Sequence, residues 1–416
     1  MKKEICLTAA STLLAGAAAN AHVPESEWLE LKAQFAAMAE RVSALEAENR
    51  QLRELSRRSV AELDGTRTDL AEVKEHGARS AWSERVAISG DFRYRYEEID
   101  VQGADQRERN RIRARAHLVA KLPDNIDVGL GVASGGDDPV SANQTLGEGN
   151  TSKDIRLDLA YFKWSVMPDV YLQAGKYQNP LYRPQKTGLL WDSDWRPEGF
   201  SAGWNNAYLF ATFLGNWLES DSKTGNDAFA WGLQGGTSVH LGASDFTAAL
   251  GYYSFPTSGN SSYYNGAFFG NSNADGVYVY DYDMLEISGE FTLNLFDMPL
   301  SVFGNFVQNQ DPADYDTGWR AGLFLGETKG PGTWQLGYQY QDLEADAVLG
   351  LLSDSDFAGG GTDGRGHRLS GAYGISRQWH LEFTWFIDNR AGEKNLQDRG
   401  GALDYDRFFI DTVFKY

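Results

Sequence analysis

The chain has 416 residues, 13% aromatics, 45 glycines and a formal net charge of −20, a length that suits several soluble domains or one large β-barrel. The acidic balance argues against a nucleic-acid partner, because phosphates demand a basic surface. Solvated loop carboxylates explain the charge more simply. After the first twenty residues no apolar run approaches the roughly 20 residues of a membrane helix. The composition is compatible with a transmembrane β-barrel, because the strands of a barrel meet lipid only at every second residue.

The first residues have the pattern of an export signal. A basic start and an apolar stretch from Ile5 to Ala19 precede the small-x-small site Ala19-Asn20-Ala21, so residues 1–21 are predicted to be removed as a signal peptide. The only cysteine, Cys6, lies inside this segment. The exported chain is therefore expected to contain no thiol, which argues against disulfides, cysteine-bound zinc and thiol nucleophiles.

Residues 22–80 are predicted to form a coiled-coil segment. Apolar residues recur at spacings that alternate three and four, and Asn49 occupies one of these positions; such a seam is typical of helices that pack together. The seam comprises Trp28, Leu31, Phe35, Met38, Val42, Leu45 and Leu52, and recovers at Leu63, Leu70 and Val73. A seam Asn costs stability but fixes register, which favours an oligomer, and both dimers and trimers fit. The alternative is a single amphipathic helix that lies on the barrel or on lipid. Gly65 and Gly77 weaken the helix and predict that it ends before Trp82.

From Arg85 onward the hydrophobic period changes to two, which predicts β-strands with alternate side chains on opposite faces. Segments 85–99 and 109–122 separate charge from hydrocarbon most clearly. One face carries Arg93, Arg95, Arg109, Arg111, Arg113 and Arg115, and the other carries Ile88, Phe92, Tyr94, Ile112, Ala114 and Leu118. We therefore predict an all-β transmembrane domain over residues 81–416.

The connections between the predicted strands alternate between short and long. Short turns recur from Pro123-Asp124-Asn125 to Ser376-Arg377-Gln378, and between them lie Gly-, Asp-, Asn- and Ser-rich connections such as 135–153, 178–197 and 344–364. This alternation is typical of an antiparallel up-and-down β-barrel with one rim in the periplasm. The spacing predicts about sixteen strands, so that both barrel ends and the N-terminal coiled coil lie on the periplasmic side.

A soluble β-sandwich is the competing fold, because its strands also alternate. The apolar faces here carry aromatic residues near strand ends, among them Trp334, Tyr340 and Trp385, as the girdles of membrane barrels do. The last strand is amphipathic and ends on Tyr416, which resembles the signal read by the barrel assembly machinery. These features favour a barrel in outer-membrane lipid.

Several stretches between Arg85 and Tyr416 resemble the putative porin family of proteobacteria. They are GGDDPV (135–140) with NQTLG (143–147), GKYQNP (175–180) with YRP (182–184), WDSD (191–194) with PEG (197–199), and DLEADA (342–347) with SDSDF (353–357). The coiled coil also resembles N-terminal segments of phosphate-selective and related trimeric porins. The resemblance implies a Gram-negative outer-membrane barrel that passes small solutes, with a homotrimer favoured. It supplies neither catalytic residues nor a cofactor.

The predicted function is a water-filled channel for passive diffusion of small hydrophilic or charged solutes. Lumen charge and width set the selectivity of such a pore. The six arginines named above are predicted to line it as a cationic wall, because guanidinium stays charged and binds carboxylate or phosphate in a fork. Opposing acids on other inward faces are Glu286, Glu290, Glu382 and Asp411. The alternative is that the arginines pair with neighbouring acids and only satisfy a polar interior.

The connection 178–197 is a candidate constriction loop that folds into the pore. It carries Arg183, Lys186, Trp191, Asp192, Asp194 and Arg196. Ordinary anchoring at the rim explains the same residue types. The acidic clusters at Asp137-Asp138, at 311–316 and at 354–356 lack the spacing of a dedicated calcium loop, so no metal site is predicted.

The residues also bear on two other classes of function, an enzyme and a structural anchor. The six histidines form no i, i+4 metal-ligand pair and no Gly-x-Ser-x-Gly elbow is present, so no enzyme is predicted. The alternative function is a structural anchor in which the coiled coil tethers the cell envelope. Eight-stranded barrels suffice for anchoring, so the length of this domain favours a channel.

Overall fold

A computed structural model describes residues 25–80, 85–221, 223, 227–392 and 402–416. The predicted signal peptide, residues 1–21, lies outside the described residues. Contacts divide the chain between residues 81 and 82 into a helical unit and a barrel unit.

Residues Glu25–Ser80 form one α-helix, α1. The predicted helix is confirmed, and it continues through Gly65, where a glycine costs about 1 kcal/mol relative to alanine. The seam residues Met38, Leu45 and Leu52 are exposed in the single chain, whereas the side chains of Phe35, Leu70 and Val73 lie outside the described part. Packing of several such helices stays a prediction. Within the described residues, no helix combines the length and the apolar character needed to cross a membrane.

The barrel consists of sixteen antiparallel strands, as predicted, and the last strand pairs with the first to close it. The strands are β1 (Val86–Val101), β2 (Arg107–Leu122), β3 (Ile126–Ser134), β4 (Ile155–Met167), β5 (Val170–Lys176), β6 (Glu198–Asn205), β7 (Leu209–Glu219), β8 (Ala228–Leu241), β9 (Ser244–Phe255), β10 (Tyr282–Leu295), β11 (Met298–Asn309), β12 (Thr317–Gly326), β13 (Trp334–Leu343), β14 (Gly364–Gly374), β15 (Trp379–Ala391) and β16 (Leu403–Lys415). Every barrel backbone edge is thereby paired, which a sheet in lipid requires.

Short elements lie in the connections. They are the two-residue strands Gln144–Thr145, Asn273–Ala274 and Val277–Tyr278, and the 3₁₀ turns Pro123–Asn125, Glu148–Asn150, Pro184–Lys186, Gly350–Leu352 and Phe357–Gly359. Gln144–Thr145 pairs with β2, so the connection after β3 returns to the wall that carries the arginines.

Alternate residues along each strand separate an exposed outer face from a buried lumen face. On β13, Leu336 and Tyr338 are exposed while Gln339 and Gln341 are buried. On β9, by contrast, Tyr253 is buried on the lumen side. A purely aqueous lumen does not call for such a side chain, so an apolar body must cover this part of the wall.

That body is formed by several connections that fold into the barrel. It comprises Leu189, Leu190 and Trp191 from the connection after β5, Phe268 and Tyr278 from the connection after β9, and Val348, Leu349, Leu351 and Leu352 from the connection after β13, which share one core with lumen-facing residues of β7 to β11 and of β13. Trp191 stacks on Trp195 with ring centroids 4.8 Å apart and meets Tyr253 edge-on at 5.0 Å. The apolar core therefore occupies one side of the lumen. We call segments 177–197 and 344–363 the inward loops.

Candidate functional site: the charged passage

The arginines of β1 and β2 stand in like-charged pairs on the lumen face. Arg93 is the direct cross-strand partner of Arg113, and Arg95 that of Arg111. Like charges directly opposite each other are destabilising in a sheet. The wall therefore depends on carboxylates close to it.

Two acids on β1 itself supply part of the compensation. Asp91 lies 2.9 Å from Arg113 and 2.6 Å from Arg115. Glu97 lies 2.5 Å from Arg109 and 2.5 Å from Arg407 on β16. The interpretation in which the arginines pair with neighbouring acids thus describes much of the wall.

The remaining compensation comes from β16 and from the inward loops. Arg95 binds Asp411, its cross-strand partner, through two hydrogen bonds of 2.8 Å. Its third contact, at 3.1 Å, reaches Asp356 in the second inward loop, and Asp356 also lies 2.9 Å from Arg407. In the first inward loop, Asp194 lies 2.9 Å from Arg115. The loops are therefore joined to the wall by ion pairs.

Hydrogen bonds also join the two inward loops to each other. The Asp192 backbone N–H donates to the Leu352 carbonyl at 2.7 Å, and the Ser355 N–H donates to the Asp192 carboxylate at 2.9 Å. The Ser355 hydroxyl donates to the Val140 carbonyl at 3.1 Å. Three connections thus meet at one point inside the barrel.

The loop carboxylates have opposite pKa shifts because their neighbours differ. Burial, followed by repulsion from Asp194 and Asp354, raises the pKa of Asp192 well above its ordinary value. Burial acts in the same direction on Asp356, but the Arg407 and Arg95 charges outweigh it and hold that pKa well below its ordinary value. The surroundings of Asp356 therefore favour its charged form, and those of Asp192 favour its protonated form.

Two cavities follow the polar side of the lumen. The narrower one, about 220 Å³, is bounded by β12, β14 to β16, β1 and β2 and by the inward loops. Its charged lining consists of Arg93, Arg95, Arg113, Lys186 and Arg368, with Asp192, Asp194, Asp354, Asp356, Glu382 and Asp411. The wider one, about 640 Å³, lies along the β1 start and the β16 end. Arg113, Lys186 and Ser193 line both cavities, so the two adjoin.

The four acids predicted to oppose the arginines do not form one wall across the lumen. Asp411 adjoins the arginines on the neighbouring strand, and Glu382 is its partner across β15 and β16. Glu290 accepts hydrogen bonds from the Gln185 backbone and side chain at 2.8 and 2.6 Å, so it holds the first inward loop. Glu286 is 2% exposed and accepts a hydrogen bond from Tyr253, beneath the apolar core. The carboxylates that face the arginines across the passage come mainly from the loops.

Several residues of the passage were not predicted as pore-lining. In the sequence, Asp354 and Asp356 belong to an acidic cluster and to the family stretch SDSDF, and no pattern singles out Arg407 or Arg368. Arg407 is two residues before Phe409 on the same face of β16, so extending the alternation of the last strand by one step would have found it. Asp356 could not be found in this way, because a loop residue has no period.

The sequence profile of the family described as "Putative porin" matches residues 101–273 and 268–416. Together these ranges cover more than half of the chain. No curated protein sequence matches this chain.

Solved structures share the fold at low sequence identity. OprB of Pseudomonas putida, in a high-pH structure, is 11% identical with a TM-score of 0.55, and the match covers 82% of this chain and 97% of that one. OmpF of Salmonella typhi, in complex with daunomycin, is 8% identical with a TM-score of 0.50, covering 80% and 97%.

Proposed function

The chain belongs to the putative porin family, and on this premise we propose that its barrel is a channel for passive diffusion of small hydrophilic or charged solutes across the outer membrane. The observation that carries the proposal is the pair of adjoining cavities on the polar side of the lumen, lined by charges of both signs. Charged linings of this kind exclude hydrocarbon and admit hydrated solutes.

The first inward loop acts as the constriction in this proposal. Lys186, Asp192 and Asp194 line the narrower cavity opposite Arg93 and its neighbours, while Trp191 lies in the apolar core behind them. Trp191 therefore holds the loop in place, and the charged residues meet the solute. A field between loop carboxylates and wall guanidiniums orients polar solutes as they pass.

Reconstitution of the purified exported chain in planar bilayers tests the channel. We expect discrete single-channel currents, and we expect the anion-to-cation permeability ratio to fall when Arg111, Arg113 and Arg115 are replaced together by Gln. The matched control replaces Arg377 and Lys329 of the short turns by Gln, which lie outside both cavities. Absence of conductance in folded protein would contradict the channel, whereas an unchanged ratio would remove only the wall from the mechanism.

The remaining parts of the proposal concern location and assembly. The exported barrel inserts into outer-membrane lipid after its C-terminal strand, β16, is read by the barrel assembly machinery. Helix α1 then extends into the periplasm as a coiled coil, and the chain forms a homo-oligomer, with a trimer favoured. The exposed seam of α1, including Leu45 and Leu52, supports this assembly.

The length of α1 supports a second role as an envelope anchor. A helix of 56 residues extends about 84 Å at 1.5 Å per residue, a reach that a channel does not need. Deletion of residues 25–80 separates the roles: a channel keeps its conductance, whereas loss of envelope integrity with unchanged conductance reveals the anchor.

A further inference from the structure

The wider cavity is strongly basic, although the whole chain is acidic. Its lining carries six cationic side chains, Arg113, Arg115, Arg183, Lys186, Arg196 and Lys415, and one carboxylate side chain, Asp91. The narrower cavity beside it has cations and carboxylates in similar numbers. The excess of positive charge is thus confined to the side of the passage that adjoins the β1 start and the β16 end.

Ion pairs neutralise only part of this excess. Arg113 and Arg115 share Asp91 and Asp194, and Arg196 pairs with the buried Asp158 at 3.2 Å. That carboxylate is also within 3.8 Å of Arg156 and 3.4 Å of His117. Positive charge therefore remains on this wall after the ion pairs among the described residues are counted.

The first inward loop contributes two cations that have no carboxylate within ion-pair distance among the described residues. The guanidinium of Arg183 donates to the carbonyl oxygens of Trp191 at 3.1 Å and Asp192 at 3.3 Å, and the Asp192 and Glu286 carboxylates attract it from farther away. Lys186 is exposed and lines both cavities.

We infer that the wider cavity binds multivalent oxyanions, meaning small solutes that carry a phosphate or several carboxylates. Lys186 supplies an exposed ammonium, Arg183 supplies a guanidinium whose hydrogen bonds go to backbone carbonyls, and the net positive charge of the whole lining attracts such oxygens. Because Lys186 also lines the narrower cavity, a bound oxyanion stands at its entrance. The site therefore concentrates such solutes and slows other ions while it is occupied. This inference deepens the proposed channel function and rests on it for the transport step.

Titration of inorganic phosphate and of citrate into the detergent-solubilised exported chain tests binding without requiring conduction. Replacing Lys186 by Gln is expected to weaken binding about threefold to tenfold, as the loss of one partly solvated charge implies, and Lys186→Arg is expected to retain it. Lys329→Gln, in an exposed turn where Lys329 pairs with Glu327 at 2.6 Å, is the matched control. A preference for phosphate or for citrate identifies which oxyanion class fits the cavity.

The bilayer recording then links binding to passage. Either oxyanion is expected to produce transient closures of the wild-type channel, fewer in Lys186→Gln and unchanged in Lys329→Gln. Equal affinities of Lys186→Gln and wild type, or no saturable binding of either anion, would overturn the oxyanion site even if the channel conducts. Saturable binding by a barrel that never conducts would instead contradict the proposed function and leave the site in place.

Discussion

The guanidinium of Arg95 lies 3.1 Å from the carboxylate of Asp356, which joins the first barrel strand to a loop that enters the lumen 261 residues later. Arg95 also holds Asp411 on the last strand. The Arg95 side chain thus connects the pair of strands that closes the barrel, β1 and β16, to the second inward loop. Wall and loop are expected to lose order together when it is removed.

Replacing Arg95 by Gln should destabilise the barrel by about 3 kcal/mol, because it leaves the buried Asp411 carboxylate and the half-buried Asp356 carboxylate short of a partner. Asp356 keeps its ion pair with Arg407, so the second inward loop should become more mobile but stay inside the barrel. Urea unfolding in lipid vesicles gives the stability, and current noise in bilayers reports the loop. Arg390→Gln is the control, since its pair with Asp404 is exposed and should contribute at most about 1 kcal/mol. Equal stabilities of the two variants would contradict the assigned role of Arg95.

Channel noise should depend on pH through Asp192. An acid whose pKa is raised in the folded state stabilises that state at low pH, and this contribution is lost as pH rises through the raised pKa. Burial and the neighbours Asp194 and Asp354 raise the pKa of Asp192, so the contact between the inward loops should weaken from mildly acidic toward alkaline pH. The pKa of Asp356 is lowered in the folded state. Its contribution to stability is therefore lost only as pH falls below the ordinary pKa of an aspartate, outside this range.

Recordings from about pH 5 to about pH 9 should therefore show closures and openings that become more frequent with pH. Asp192→Asn removes the titration. It also leaves one side-chain oxygen, instead of two, to accept from the N–H groups of Asp194 and Ser355. Its noise should be higher at low pH than that of wild type, and flat with pH. A variant that follows the wild-type pH profile would assign the effect to another group.

Trp191→Ala should widen the passage. The indole is 2% exposed and packs against Trp195 and Tyr253, and truncation of a buried Trp costs about 3–5 kcal/mol. The first inward loop should then detach from the wall at β9, and single-channel conductance should rise. Trp385→Ala removes an indole of the same size from the exposed outer face and should leave conductance unchanged. Unchanged conductance in Trp191→Ala would show that the loop does not limit the pore.

The strands and their charged face were predictable from the sequence because both follow from a period of two. Arg93 to Arg115 alternate with aliphatic and aromatic residues, so their common face needs no tertiary information. The surroundings of a lumen residue do need it. Glu286 is on the lumen face of β10, as its alternation predicted, but it lies under loops whose path no periodicity records.

One local signal of the inward loops was nevertheless present in the sequence. Near the long connections some strands carry apolar residues on both faces, as Tyr252 and Tyr253 do on β9. A lumen filled with water would disfavour the inner of these, so the pattern indicates an apolar partner inside the barrel. It does not indicate which loop supplies that partner. Leu189, Leu190 and Trp191 lie between a Gly and two Asp residues, which reads as an ordinary exposed loop.

Disulfide trapping should reveal whether the seam of α1 joins copies of the chain. The exported chain is expected to have no native cysteine, so a single introduced thiol reports only its own position. Leu45 lies in the seam, and Ala47 lies on the opposite face by the same heptad register. A disulfide needs Cα atoms within about 7 Å, which facing seam positions of a parallel coiled coil approach and outward positions do not.

Leu45→Cys should therefore yield a covalent dimer on mild oxidation in membranes, and Ala47→Cys should stay monomeric on a denaturing gel. Asn49→Leu should increase the yield from Leu45→Cys, because the buried amide no longer opposes association. Equal yields at both positions would indicate random collision in the bilayer. No trapping at Leu45 would favour the other interpretation of the segment, a single amphipathic helix on lipid, since an exposed apolar stripe that is not paired with a second helix needs another apolar surface to cover it.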